Sequence, residues 1–166
     1  MDRKIFLKTI SPLLLLPIIP VNLLSSCTSS NNSKDLSDVI GKKSKEVSAI
    51  GNDKESGNSL YNFIEKKNES AKLLGFDVKA DSIFYVIQNG VVQRVSLVVS
   101  SHILDEFRTH LISSKWGKPL QTIKNDWGTS EEFVSNDGNL MVSLCNNNLS
   151  DGNQIIIESK QFKSYS

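Results

Sequence analysis

Asn89-Gly90 constrains this chain more than any other pair of residues. It stands inside "SIFYVIQNGVVQRVSLVVS", between two runs dense in β-branched and aromatic side chains. A two-residue turn that follows the natural twist of paired strands needs positive φ at both positions, and Asn-Gly adopts it at least cost. The stretch therefore predicts a β-hairpin, and a hairpin alone is marginal in water, so a larger antiparallel sheet is required around it.

The pattern changes on either side. In "SLYNFIEKKNESAKLLG", Leu60, Phe63, Ile64, Ala71 and Leu74 fall on one side of a helix, and Gly75 suits its stop. In "SSHILDEFRTHLISSKWGKP", Ser100 or Ser101 caps a second helix and Asp105 and Glu106 lie near its positive end. Ile103, Leu104, Phe107 and Leu111 form its apolar stripe, and Lys115, Gly117 and Pro119 close it. Further strands are expected around residues 121–127, around 132–144 folded back at Asp137-Gly138, and around 154–159. The expectation is an α+β fold over residues 59–163, with two helices packed on one face of a mainly antiparallel sheet of about five strands. The helix ending in Trp116-Gly117-Lys118-Pro119, followed by a hairpin with an Asp-Gly turn, resembles a recurring pattern in small envelope proteins. That resemblance implies a fold and no activity.

The amino terminus has a different texture. Arg3, Lys4 and Lys8 precede an apolar run over residues 10–24, and the run gives way at Cys27 to "TSSNNSKD". A basic start, a short apolar middle and small residues before a cut are the order of a signal peptide. A membrane-spanning helix would need about 20 uninterrupted apolar residues. Pro12, Pro17 and Pro20 would each break one.

Leu24, Ser25, Ser26 and Cys27 resemble the lipobox of bacterial lipoproteins, which is a leucine, two small residues and a cysteine. The resemblance covers residues 1–27. It implies that residues 1–26 are removed, that diacylglycerol is joined to the Cys27 thiol, and that the new amine is acylated, commonly with palmitate. Thr28 and Ser29, rather than Asp, follow the cysteine. In a double-membraned bacterium that implies the outer membrane; in a single-membraned one the anchor lies on the outer face of the cell membrane. The rival is a secreted protein in which Cys27 pairs with Cys145, the sole internal disulfide two cysteines allow. A thioether at Cys27 forbids that bridge.

Residues 28–58 are rich in Ser, Asn, Lys, Asp and Gly. Such composition buries too little apolar surface to offset ordering entropy, and the lipidated start and flexible tether are expected to occupy residues 27–58. Leu36, Val39, Ile40, Val47 and Ile50 recur at roughly helical spacing, so a short amphipathic helix is the alternative, weakened by Gly41.

Charge excludes one class of partner. Loss of Arg3, Lys4, Lys8 and Asp2 leaves 16 bases against 17 acids, a net charge of −1. A chain without a basic balance draws no polyanion from a distance, so nucleic acid is not an expected partner.

Candidate chemistry is sparse. His102, Glu106 and His110 are spaced four apart on the second helix. The outer pair is about 12 Å apart along the axis, too far for one ion. Cys145 ends an apolar strand, where a nucleophile activated by one of those histidines competes with a buried inert thiol. No Gly-x-Ser-x-Gly, phosphate loop or dinucleotide fingerprint occurs. Trp116, Trp127 and Tyr85 are candidates for a binding surface or, more commonly, for the core. The expectation is a non-catalytic envelope lipoprotein with no cofactor or metal, held by lipid on Cys27 and presenting a small domain to another envelope protein. The alternatives are a small envelope enzyme using Cys145 or a histidine, and a soluble secreted effector or inhibitor.

Overall fold

A computed structural model describes residues 35–48, 50, 56–57, 61–148 and 152–162. The apolar run and Cys27 lie outside them. Eight strands form one sheet: β1 Ser56–Gly57, β2 Asn62–Leu73, β3 Phe76–Gln88, β4 Val91–Val99, β5 Gln121–Asn125, β6 Gly128–Val134, β7 Leu140–Asn147 and β8 Asn153–Ser159. The order is β1-β2-β3-β4-β8-β7-β6-β5, and every neighbouring pair is antiparallel. One α-helix, α1 Ser101–Ser113, follows β4.

The expected two helices on about five strands are thus corrected, among the described residues, to one helix on eight strands. The first expected helix is β2. Apart from Asn68, its residues pair with β3, from Asn62 opposite Ile87 to Leu73 opposite Phe76. Glu65, Lys66, Lys67, Glu69 and Lys72 favour a helix in isolation, but the cross-strand partners override that weak preference. Leu74 and Gly75, at φ 52° and 82°, form the two-residue turn of the β2–β3 hairpin. Positive φ at Gly75 serves a helix stop and a hairpin turn equally, so the glycine does not tell them apart.

The hairpin at Asn89-Gly90 forms as expected, with φ 53° and 73°. The second helix also forms. The Ser100 hydroxyl accepts from the Ile103 amide, and Leu104, Phe107 and Leu111 are buried.

The registers place Ile83, Tyr85, Val95, Leu97, Ile155, Ile157, Val142, Leu144 and Phe133 on one sheet face, all buried, and α1 packs on that face. The parity of buried positions in β3 changes between Ala80 and Ile83, and in β2 between Ile64 and Leu73. Asn68, at φ 52°, sits within that change in β2. The far arm of the hairpin packs onto α1. The Phe76 ring meets Phe107 edge-on at 5.6 Å, and the Leu74 carbonyl lies 3.0 Å from His110 Nε2.

Residues 35–50 complete the core. Two 3-10 turns, Leu36–Val39 and Ser44–Glu46, replace the short amphipathic helix, and Leu36, Val39, Val47 and Ile50 are buried. The Gly41 amide donates to the Val92 carbonyl, Val92 donates back to Lys42, and Ser44 donates to Gly90. At the other end the Asp35 carboxylate accepts from the amides of Leu74 and Gly75. This part of the expected tether is a strap from the β2–β3 turn to the β3–β4 turn. Average composition concealed it, because four apolar residues spread over fifteen suffice once a sheet receives them.

Candidate binding edge and cleft

β5 ends the sheet, and β6 is its sole strand neighbour among the described residues. All five of its residues are exposed. Leu120, Ile123 and Trp127, at 76%, 43% and 69% exposure, put large apolar side chains into solvent along this one edge. Local chemistry holds Trp127 there. The Asn125 Oδ1 accepts from the amides of Trp127 and Gly128 at 3.0 and 3.1 Å, closing an Asx turn. Gly128 follows at φ 151°, and a Cβ there would collide with the Asn146 carbonyl oxygen.

Beside this edge, on the face away from α1, lies a cleft of about 350 Å³ lined by Ile123, Asn125, Trp127, Ser130, Cys145 and Asn147. Cys145 is half-buried, and its Sγ is 3.6 Å from the Ser130 Oγ. Farther across the same face Arg94 forms an ion pair with Glu158 at 2.6 Å beneath the Phe162 ring. An exposed sheet edge offers backbone N–H and C=O groups to an incoming strand, and a neighbouring apolar cleft can select among its side chains.

The other candidates fall elsewhere. His110 is fixed between the Phe76 and Phe107 rings under the Leu74 carbonyl, while His102 pairs with Glu106 at 3.3 Å in solvent. Both histidines belong to α1, which covers the face opposite Cys145, so the fold does not bring thiol and imidazole together. Among the described residues no group of three or more His, Cys, Asp or Glu side chains could hold a metal. No described helix is long and apolar enough to cross a membrane. Tyr85 and Trp116 are core residues, and burial, with Glu69 nearby, pushes the Tyr85 phenol up to about 12.

No protein-family model, curated protein or solved structure matches this chain. The edge is therefore weighed on its own chemistry. Sequence reasoning did not single out Leu120, Ile123 and Trp127 as a group. Their signal was a polar, short strand carrying one isoleucine between two large apolar residues, which is how an edge differs from the apolar centre of a sheet.

Proposed function

We propose that the chain is a non-catalytic bacterial lipoprotein, held to the cell envelope by acyl chains on Cys27, whose folded unit binds an extended segment of another envelope protein along β5. The observation that carries the binding half is the fully exposed edge strand flanked by Leu120 and Trp127. Surplus apolar area of this kind is disfavoured at a free edge, and strand addition with one side chain in the Ile123–Trp127 cleft would cover it. The anchoring half rests on Leu24-Ser25-Ser26-Cys27. The separation of Cys145 from both histidines favours binding over catalysis.

A photo-crosslinking residue at Thr122, in cells making the full chain, tests the proposal. The expected result is one crosslinked envelope protein that disappears with Ile123→Lys and persists with a distant surface change such as Lys79→Gln. Crosslinking that ignores Ile123→Lys would refute the edge. An unmodified Cys27 in the intact mass of the membrane fraction would refute the anchor.

A further inference from the structure

Three of the five large apolar side chains that the described residues expose, Leu120, Ile123 and Trp127, stand on or beside β5. The hydrogen-bond polarity of this strand follows from its hairpin. Asn125 and Gly128 close a two-residue turn and exchange both ladder bonds, and alternation gives the same inward pairing to Ile123 with Ser130 and to Gln121 with Glu132. The N–H and C=O groups of Thr122 and Lys124 are thereby turned outward. Laid antiparallel against its own copy, the strand matches itself best in one register. With Ile123 opposite Ile123, Thr122 meets Lys124, so each outward N–H faces an outward C=O, and Gln121 meets Asn125. No like charges stand directly opposite, and the two isoleucines meet at a site without ladder bonds, where Cα atoms are only about 4.5 Å apart. Leu120 of each copy reaches the Asp126-Trp127 turn of the other. Centring on Lys124 instead would oppose two ammonium groups. Centring on Thr122 would set Lys124 opposite Leu120, whose N–H is already given to the Glu132 carbonyl.

We infer that, with no envelope partner on β5, two copies of the chain pair through it in this register about a two-fold axis at Ile123, and that a partner segment displaces the second copy to bind. The inference rests on the reading of β5 as an edge that accepts a strand. A two-fold contact closes at two copies, so it caps the exposed edge without seeding fibres. Five residues a side is far below the roughly 20–30 of a lasting interface. The pair therefore yields to a longer strand that also places a side chain in the cleft. The axis stands across the sheet, so both Ile123 side chains lie on the cleft face and the clefts of the two copies adjoin.

The experiment uses the purified full chain in detergent, carrying Cys145→Ser and one cysteine added on β5, under mild oxidation. An antiparallel two-fold places one residue opposite itself. Ile123→Cys is therefore expected to give at least about fivefold more disulfide-linked dimer than Gln121→Cys or Asn125→Cys alone, whose like positions lie at least about 13 Å apart. Gln121→Cys and Asn125→Cys proteins are expected to bridge to each other when mixed. The parent with Cys145→Ser alone gives the background from Cys27. Equal bridging at the three single positions, or none at position 123, overturns the inference; the partner edge still stands if the cellular crosslink at Thr122 depends on Ile123. Bridging in the expected register beside a cellular crosslink that ignores Ile123→Lys upholds the pairing and refutes only the outside partner.

Discussion

Asp35 and Gly75 are forty residues apart in sequence, yet the carboxylate of one accepts the amide of the other at 2.7 Å. Half-burial by itself would raise the Asp35 pKa. The Ser37 hydroxyl and the amides of Gly75, Ser37 and Leu74 outweigh it and hold the group below the ordinary carboxylate value. A carboxyl whose folded pKa is depressed stabilises the fold above its unfolded pKa, and that contribution fades as pH falls through the folded value. Asp35→Ala is expected to cost about 1–2 kcal/mol at pH 7, with solvent screening placing it in the lower part of the range for charged hydrogen bonds. Urea titrations of both proteins at pH 7 and at pH 3 check this, and the gap between them narrows in acid.

Gly128→Ala is expected to destabilise by about 2–4 kcal/mol, because the new methyl runs into the Asn146 carbonyl and the backbone sits at φ 151°. Gly138→Ala at φ 71° meets nothing within contact distance and is expected to cost only about 1 kcal/mol, from backbone strain. Paired thermal melts decide the order.

The Arg94–Glu158 pair occupies mostly buried ground, with Glu158 only 8% exposed. Removing one charge leaves the other desolvated, so Arg94→Met alone is expected to cost about 2–3 kcal/mol. Arg94→Met with Glu158→Leu recovers much of that loss. A double-mutant cycle by denaturant unfolding measures the recovery, and strictly additive losses would contradict it.

Ile123→Lys and Trp127→Ala remove exposed side chains at the edge, so each is expected to change stability by no more than about 0.5 kcal/mol. Both eliminate the crosslinked partner. Loss of binding with an unchanged melting curve separates contact with a partner from support of the fold.

The strands after residue 120, the Asn89-Gly90 hairpin and α1 were legible because each carries local chemistry that only one conformation satisfies: a two-residue turn, a Ser cap, an alternating apolar run. β2 was not. Its middle, Glu65 to Ser70, is polar on both sides, so no period of two exists to detect, and its apolar ends happen to fit a helical wheel. Its state is decided by pairing with β3, in which Asn62 meets Ile87, a separation of 25 residues that a local pattern does not sample. The strap was hidden for a related reason, since Leu36 and Val39 are ordered by a sheet whose strands come later. In the candidate site, Cys145 was visible as a lone thiol, but its separation from the histidines depends on which sheet face each occupies. That follows from register and not from spacing.

One consequence concerns biogenesis. Among the described residues, β8, drawn from residues 153–159, is the strand that pairs with both β4 and β7 at the middle of the sheet. Until it leaves the ribosome, the two halves have no strand contact through which to condense, and the decisive pairings are non-local and slow. A polypeptide destined for secretion through a narrow translocase, as proposed for this one, gains from that delay: it stays threadable until β8 is across.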